Sequence, residues 1–378
     1  MSSDDSSSSN TNNVMENREK KPIALFLNCS RLDYDQKLNF KKLASITDFR
    51  RNDVDTIISV SEIIRLVNEV HVGTEIVILK EMTLPSNAIE QFSKNSSIKL
   101  ICEAGTGYNN IPLDICREKQ IQVCNVPSYS NDAVAQTAIT YIMNFAMNMF
   151  QQQSMLNRDN GDRSNFTGPF TLPLMELNNK TLGLVGGSGR IGTKVAEIGL
   201  VLGMNIIISR RNPADAGPDT DANTNNTATP PALPDSHKLF NHPGVSVTYD
   251  INELLEKSDF VSIHTPLNND TINSFGKTQI TKMKSTAYLI NTSRGKVINE
   301  NELIDCLECN VIAGAGLDVT HTEPPVSDSK LWSLNNVVLS PHIGWKRFET
   351  RQRLVDMTTD NIESYINTNG NDCINVVS

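Results

Sequence analysis

The sequence lacks long apolar runs and an excess of positive charge. No run reaches the roughly 18–20 residues that a membrane helix requires, because the longest candidate, residues 138–150, is interrupted by Thr140, Asn144 and Asn148. The 34 Lys and Arg residues are outnumbered by 43 Asp and Glu residues, which gives a formal net charge of −9. This balance argues against nucleic acid or an acidic membrane as the main partner. We therefore expect neither kind of partner.

A disulfide framework is also missing. The seven cysteines are an odd number and are scattered without regular spacing, which is typical of reduced thiols in the cytosol. Cys306 and Cys309 form a C-x-x-C pair, but no second Cys or His pair lies nearby to complete the roughly four ligands of a structural zinc site. We predict two ordinary helix cysteines and no metal site.

Targeting signals are absent from both ends of the sequence. Residues 1–20 are rich in Ser, Asp and Asn and contain Asp4, Asp5 and Glu16. They lack both the apolar core of a signal peptide and the Arg-rich, acid-poor character of a transit peptide. The final Val-Val-Ser is not a peroxisomal signal. The expected location is cytoplasmic.

The length and composition predict two folded domains. A chain of 378 residues is too long to fold around one small hydrophobic core. Its composition, 38% hydrophobic and 20% charged, is ordinary for a globular protein. Two stretches have too few apolar residues to offset the entropy of ordering. Residues 1–20 are predicted to be a disordered tail, and residues 213–234 a low-complexity insert.

Short apolar runs alternate with helical patterns along the rest of the chain. One series of predicted strands covers residues 23–27, 75–79, 98–102 and 121–124, and a second covers residues 181–185, 204–208, 246–248, 260–264, 287–291, 312–317 and 337–339. Helical patterns cover residues 61–70, 131–152, 191–202, 251–256 and 300–309. The repeated β-α-β order implies parallel sheets with right-handed crossovers. The predicted fold class is α/β, with two domains built on parallel sheets.

A glycine-rich turn is the strongest local signal. Gly187, Gly189 and Gly192 form G-x-G-x-x-G between a strand that ends at Val185 and a helix that begins near Arg190. In a dinucleotide-binding fingerprint, these glycines permit the tight turn, the close approach of the pyrophosphate, and helix–strand packing, respectively. The helix N-terminus then offers free N–H groups to the phosphates. The predicted cofactor loop comprises Gly187, Gly189, Arg190, Ile191 and Gly192.

The end of the following strand bears on the choice of cofactor. It carries Ser209, Arg210 and Arg211 where an NAD enzyme has an acid for the ribose hydroxyls. A guanidinium is a planar fork of donors that suits a 2′-phosphate, although solvated arginines at a strand end are the alternative. We predict NADP or NAD as the cofactor, with NADPH preferred.

These and later motifs resemble the D-isomer-specific 2-hydroxyacid dehydrogenase family. The likeness runs from about residue 22 to the C-terminus, apart from the insert. It is carried by Gly-Arg-Ile-Gly at 189–192, Ser-Asp-Phe-Val-Ser-Ile-His-Thr-Pro-Leu at 258–267, Leu-Ile-Asn-Thr-Ser-Arg-Gly at 289–295, Gly-Leu-Asp-Val at 316–319, Glu-Pro at 323–324 and Ser-Pro-His-Ile-Gly at 340–344. Segments 106–111, 125–130 and 133–136 look most similar to the glycerate dehydrogenase/hydroxypyruvate (glyoxylate) reductase branch. The chain departs from the family pattern at Gly186, Pro112, Asn299 and Arg210.

The resemblance implies two Rossmann-like or flavodoxin-like domains with the active site in the cleft between them. Residues 21–128 and 345–378 would form a split substrate-binding domain, and residues 129–344 the nucleotide-binding domain. Closure of the cleft would exclude water during hydride transfer. Relatives are usually dimers, so a homodimer with the long helix after Ser130 at its interface is expected.

The same resemblance implies reduction of a small 2-oxo acid to the D-2-hydroxy acid by hydride transfer from NAD(P)H. Arg294 would bind the carboxylate and polarise the carbonyl, together with the backbone N–H groups of Thr106 and Gly107. His342 would be the acid/base, and Glu323 would orient its imidazole and stabilise the protonated form. Further predicted cofactor contacts are Thr265, Pro266, Thr292, Ser293, Asp318 and Gly344, with Asp318 at the nicotinamide carboxamide.

Alternatives remain at this stage. An NAD-dependent D-lactate or phosphoglycerate type of dehydrogenase shares the motifs, and so does a non-catalytic dinucleotide-sensing protein like the C-terminal-binding corepressors. Trp345 is expected either to line the substrate pocket or to pack at the domain hinge.

Overall fold

The computed structural model describes residues 21–57, 59–95, 98–158, 166, 172–210 and 237–378. It contains a five-stranded parallel sheet in the first third of the chain. Its strands are β1 (Ile23–Phe26), β2 (Asp48–Arg51), β3 (Thr74–Leu79), β4 (Leu100–Glu103) and β5 (Gln122–Cys124), in the spatial order β2-β1-β3-β4-β5.

A second parallel sheet has seven strands. They are β6 (Thr181–Val185), β7 (Asn205–Ser209), β8 (Val245–Thr248), β9 (Phe260–Ile263), β10 (Tyr288–Asn291), β11 (Gly314–Leu317) and β12 (Val337–Leu339), in the order β12-β11-β10-β9-β6-β7-β8. The chain builds outward from β6 on one side and then crosses over to β9. The carboxyl ends of β6 and β9 therefore flank a topological switch point, where open α/β sheets bind ligands.

Helices connect the strands of both sheets. They are α1 (Lys41–Ile46), α2 (Val60–Arg65), α3 (Ser86–Asn95), α4 (Leu113–Glu118), α5 (Asn131–Met147), α6 (Met149–Arg158), α7 (Arg190–Val201), α8 (Ile251–Lys257), α9 (Lys277–Ile280), α10 (Glu300–Glu308) and α11 (Phe348–Thr368). No helix in the described part of the chain is long and apolar enough to cross a membrane.

Burial on both faces explains why most strands are continuous apolar runs. All four residues of β1, β4, β9, β10 and β11 are buried, as expected for parallel strands that helices cover on both sides. The C-terminal helix α11 packs on the first sheet through Leu354 and Ile362, and Trp345 joins the same core. The two sheets with their covering helices confirm the predicted α/β class.

Several predicted elements need correction. The helix predicted over residues 131–152 is wrong as a single unit, because α5 ends at Met147 and α6 starts after Asn148. Asn148 has a left-handed φ of 49°, which Asn tolerates better than most residues, and its side chain donates to the carbonyl of Pro173 at 2.6 Å. The helix predicted over residues 61–70 is also divided in the structure, into α2 and a π-helical turn, Leu66–Val70.

Six elements had no prediction, namely strand β2 and helices α1, α3, α4, α9 and α11. Strand β2 is a polar edge strand of sequence Asp-Phe-Arg-Arg, without the apolar run that marked the others. Helix α11 carries many polar residues, and its apolar stripe is thin. The predictions for residues 1–20, for the 213–234 insert and for Arg211 lie outside the described residues.

Candidate active site

The glycine loop has the strand–turn–helix form of the fingerprint. Gly186 follows β6 with a left-handed φ of 74°, and Gly189 is the N-cap residue of α7. A Cβ on Gly192 would lie 2.6 Å from Cα of Gly187, closer than real contacts allow. Glycine at 192 therefore lets α7 approach the turn. The extra residue Gly186 is accommodated by its positive φ.

Two buried hydroxyls at the carboxyl edge of the second sheet have unused hydrogen-bonding capacity. Thr265 follows β9 and Thr292 follows β10, and neither Oγ1 atom has a hydrogen-bond partner among the described residues. A Cβ on Gly186 would lie 2.9 Å from Cγ2 of Thr265, so this threonine borders the glycine loop. Buried polar atoms normally have partners. The cradle and the two hydroxyls fit a bound dinucleotide.

Arg210 lies at the end of β7, on the other side of the glycine loop. Its guanidinium carbon is 4.2 Å from the ring centroid of Phe240, a cation–π distance, and its backbone N–H donates to the carbonyl of Thr248 at 2.9 Å. The stacking orients the guanidinium beside the strand end. Phe240 was not anticipated, because it follows the insert in sequence and no motif links it to Arg210.

Arg294 is one of the points where loops of the two sheets meet. It follows β10, and its Nη1 donates to the carbonyl of Ser293 at 2.8 Å. A Cβ on Gly107, in the loop after β4 of the first sheet, would overlap the Arg294 guanidinium. Only glycine permits this approach at 107. The structure thus brings together two predicted substrate residues that are far apart in sequence.

The loop that carries Thr106 is braced from beneath. The Thr106 hydroxyl donates to the carbonyl of Val126 at 2.9 Å, and the Asn125 side chain donates to the carbonyl of Thr106 at 2.7 Å. Asn109 reaches across to the second sheet, where it donates to the carbonyl of Leu267 at 3.3 Å. These contacts fix the backbone of residues 106–107 next to Arg294.

His342 and Glu323 form the predicted pair. Nδ1 of His342 lies 2.7 Å from Oε2 of Glu323. Because an ionised carboxylate can only accept, Nδ1 carries the donated proton and Nε2 is left for a reactant. His342 has a left-handed φ of 50°, a conformation that non-glycine residues adopt mainly where the surrounding structure enforces it.

Asp318 enforces that conformation. Its Oδ1 accepts from the Ser340 hydroxyl and from the Ile343 N–H at 2.9 Å, and its Oδ2 accepts from the Gly344 N–H at 2.9 Å. The carbonyl of Asp318 accepts from the His342 N–H at 2.9 Å. This buried carboxylate thus holds the loop that presents His342, in addition to any contact with a cofactor.

Sequence reasoning missed an acid next to His342. Oε1 of Glu81, at the end of β3, is 3.8 Å from Nε2 of His342. Glu81 also pairs with Lys80 at 2.8 Å and with Arg31 at 3.2 Å. Burial alone would raise the pKa of Glu81, but Lys80, His342 and Arg31 outweigh it and hold that pKa well below its usual value. The available signal was an acid at the carboxyl end of a buried strand.

Lys80 and Glu103 extend this charge cluster into the interior. Lys80 is buried with its Nζ 4.1 Å from the ring centroid of Trp345. Glu103 accepts from the Glu81 N–H at 3.0 Å, and burial raises the pKa of its carboxyl to about 7 against the attraction of Lys80. Trp345 is 3% exposed and packs in the first-sheet core over Lys80, which favours its packing role over that of an open pocket wall.

The remaining histidine and cysteine candidates take no part in the charge cluster or in a metal site among the described residues. His264 lies with Nε2 2.9 Å from the Ser262 hydroxyl, and burial lowers its pKa to about 4, so it is neutral. Cys306 is buried on α10, and Cys309 is exposed just after it. The described residues contain no group of three or more His, Cys, Asp or Glu side chains that could hold a metal ion.

Comparison with known proteins identifies the family of this chain. The profile of the D-isomer specific 2-hydroxyacid dehydrogenase NAD-binding domain matches residues 139–243 and 234–344. A hydroxypyruvate reductase of Blautia hydrogenotrophica is 29% identical over 87% of this chain and 92% of the relative. A glyoxylate reductase of Thermococcus litoralis is 33% identical over 71% of this chain and 74% of the relative.

A solved structure extends the likeness to three dimensions. An acyclic imino acid reductase in complex with NADPH and D-Arg superposes with a TM-score of 0.73 at 26% identity, over 94% of this chain and all of that one. The chain belongs to the D-isomer specific 2-hydroxyacid dehydrogenase family and is an NAD(P)-dependent oxidoreductase.

Proposed function

We propose that this enzyme reduces hydroxypyruvate and glyoxylate to D-glycerate and glycolate, with NADPH as the preferred hydride donor. The observation that carries the proposal is the meeting of Arg294 with the Gly107 backbone, in a protein that also holds the His342–Glu323 pair. The names of the hydroxypyruvate and glyoxylate reductases among its relatives support the substrate class.

The proposed chemistry assigns one task to each group. The Arg294 guanidinium binds the substrate carboxylate and polarises the neighbouring carbonyl, and the backbone N–H groups of Thr106 and Gly107 complete that site. Protonated His342 donates from Nε2 to the C2 oxygen, while Glu323 holds Nδ1. A nicotinamide cofactor, when bound, would supply the hydride for C2. Reversal of these transfers oxidises the D-hydroxy acid.

The cofactor would occupy the carboxyl edge of the second sheet. Its pyrophosphate would lie over Gly187, Gly189, Arg190, Ile191 and Gly192. Thr265 and Thr292 would offer their unused hydroxyls, and Pro266, Ser293 and Gly344 would add contacts. Arg210, stacked on Phe240, would pair with a 2′-phosphate. Asp318 would reach the carboxamide only with an oxygen that already accepts from residues of the 340–344 loop.

The domain boundaries and the oligomeric state belong to the same proposal. Residues 21–128 and 345–378 form the substrate-binding domain, and residues 129–344 the nucleotide-binding domain. Helices α5 and α6 expose Met143, Met147, Met149 and Phe150, with 39% to 54% of each residue accessible. Such a patch marks an interaction site, and we assign it to the homodimer.

A substrate panel tests the proposal. Purified enzyme is assayed for loss of NADPH and NADH absorbance with hydroxypyruvate, glyoxylate, pyruvate and 3-phosphohydroxypyruvate. We expect the highest kcat/KM for hydroxypyruvate or glyoxylate, and D-glycerate rather than L-glycerate as the reverse substrate. A preference for pyruvate or the phosphorylated acid would favour the rival dehydrogenase types. Cofactor binding without turnover on any substrate would favour the sensing protein.

A further inference from the structure

Three cysteines, none of them assigned to catalysis or binding, meet beneath the C-terminal segment. Cys102 on β4 and Cys124 on β5 are opposite each other in the parallel register, and Cys373 of the C-terminal segment packs against the same core. Sγ of Cys124 lies 3.3 Å from Sγ of Cys373. A disulfide requires about 2.05 Å between sulfurs, so a small side-chain movement would allow the bond.

The backbone keeps this pair in register. Residues 370–378 run along β5, the edge strand of the first sheet, with Val376 bridged antiparallel to Cys124. The Val377 N–H donates to the carbonyl of Val123 at 2.8 Å, and the Asn125 N–H donates to the carbonyl of Asn375 at 3.2 Å. The two thiols are thus neighbours through main-chain pairing, rather than through side-chain contact alone.

The two thiols differ in reactivity. Cys124 is fully buried, whereas Cys373 is partly exposed. The hydrogen bond between them lowers the pKa of Cys373 and, together with burial, raises that of Cys124. A thiolate is the nucleophile in disulfide exchange. Cys373 is therefore suited to react first with an oxidant, and Cys124, with its Sγ 3.3 Å away, is placed to attack the mixed disulfide that results.

We propose that Cys124 and Cys373 form a redox-modification site that is closed by a low-molecular-weight disulfide such as glutathione disulfide. The Cys373 thiolate attacks one glutathione sulfur, forms a mixed disulfide and releases one glutathione thiolate. Cys124 then loses its proton and attacks Sγ of Cys373, which releases the second glutathione and leaves the Cys124–Cys373 bond. The two protein thiols are oxidised by two electrons, and one glutathione disulfide is reduced to two glutathione molecules.

The bond would fasten the C-terminal segment beside the substrate loop. Cys124 precedes Asn125, whose side chain donates to the carbonyl of Thr106 at 2.7 Å. The carbonyl of Asn125 in turn accepts from the Asn361 side chain of α11 at 2.8 Å. Because the cross-link constrains the unfolded chain, the oxidised protein is expected to melt about 5 °C above the reduced protein.

Peptide mapping tests this site without reference to enzymatic activity. Full-length reduced protein is incubated with glutathione disulfide, alkylated and digested without reductant. We expect the Cys124 and Cys373 peptides to be linked, with a mass lower by two hydrogen atoms than the sum of the reduced peptides. Cys373→Ser should remove the link and the rise in Tm, and Cys309→Ser, at an exposed cysteine, should leave both intact.

The same experiment contains the outcomes that would overturn the site. A stable glutathione adduct on Cys373 with free Cys124, a link from Cys124 to Cys102, or a link between Cys306 and Cys309 in place of the expected one would each contradict it. Cys124→Ser adds a second check, because a glutathione adduct should then persist on Cys373. The mapping of the wild-type protein decides the matter even where that buried variant fails to fold.

Discussion

At the residue scale, the strongest expectation concerns His342. Its Nδ1 is engaged by Glu323 and its backbone by Asp318, so Nε2 is the position from which a proton can reach the substrate. His342→Ala should lower kcat by at least about 10²-fold and leave the cofactor Kd within a small factor of wild type. His321→Ala, at an exposed loop histidine, is the control and should be near wild type. Near-normal turnover by His342→Ala would refute the assignment.

Arg210 should set the choice between NADPH and NADH. A partly desolvated guanidinium–phosphate contact contributes on the order of 1–3 kcal/mol, which corresponds to roughly tenfold to a hundredfold discrimination. Arg210→Asp should reverse the ratio of kcat/KM values, because the new acid repels a 2′-phosphate and accepts from ribose hydroxyls. Arg117→Asp, at an exposed side chain of α4, should leave the ratio unchanged. A wild-type preference for NADH would show that Arg210 only stacks on Phe240 and does not select the cofactor.

Glu103 should make folding stability depend on pH. Burial raises the pKa of its carboxyl from 4.5 to about 7 in the folded protein. The folded state therefore binds the proton more tightly than the unfolded state, and this contribution is complete below pH 4.5 and is lost as the pH rises through 7. Between pH 5 and pH 8 the wild-type protein should therefore lose about 1–3 kcal/mol of unfolding free energy that Glu103→Gln does not lose, because glutamine does not titrate. Denaturant titrations at both pH values measure this, and parallel curves for the two proteins would contradict it.

At the scale of elements, alanine substitutions in the glycine loop can distinguish an effect on cofactor binding from an effect on the packing of α7. In Gly192→Ala the added Cβ would meet Cα of Gly187 at 2.6 Å, so α7 must shift. In Gly189→Ala the nearest atom to the new Cβ is 3.5 Å away, an ordinary contact. Both variants should bind cofactor at least tenfold more weakly, but only Gly192→Ala should lower the Tm of the protein without cofactor. Calorimetry measures the Tm of each variant, and fluorescence titration measures its affinity for the cofactor. Equal Tm values for the two variants would contradict the steric argument.

The elements of the second sheet were easier to anticipate than those of the first. Every strand from β6 to β12 overlaps its predicted run, because buried parallel strands are apolar throughout. The break of the long helix at Asn148 escaped prediction, since polar residues already interrupt its apolar stripe and a left-handed Asn has no distinct local pattern. Edge strand β2 was missed because a half-exposed strand needs no apolar run.

At the scale of the whole molecule, the exposed apolar surface of α5 and α6 should hold two subunits together. Met147→Glu combined with Phe150→Glu places charges in a patch that is about half accessible in a single chain, and should convert the protein from dimer to monomer because unpaired charges are costly to bury. Val201→Glu, at an 87% exposed position on α7, is the matched control and should leave the dimer intact. Sedimentation velocity gives the masses, and a monomeric wild type would exclude this interface.

The sequence by itself determined the α/β class, the glycine loop and the candidate groups Arg294, Glu323 and His342. These features are local in sequence: periodicity follows burial, and each motif places the needed chemistry within a few residues of a strand end. The motifs identified His342 and Glu323 as partners, but the spacing in sequence could not predict the distance of 2.7 Å between Nδ1 and Oε2.

Only the tertiary structure decided which distant residues meet. The close approach of Gly107 to Arg294, that of Glu81 to His342 and the Cys124–Cys373 contact each join segments far apart in sequence. Asp318 likewise acts through hydrogen bonds to a loop more than twenty residues away. Such contacts depend on how the sheets and the C-terminal segment pack, and that packing is set by the shape of whole buried surfaces rather than by any local motif.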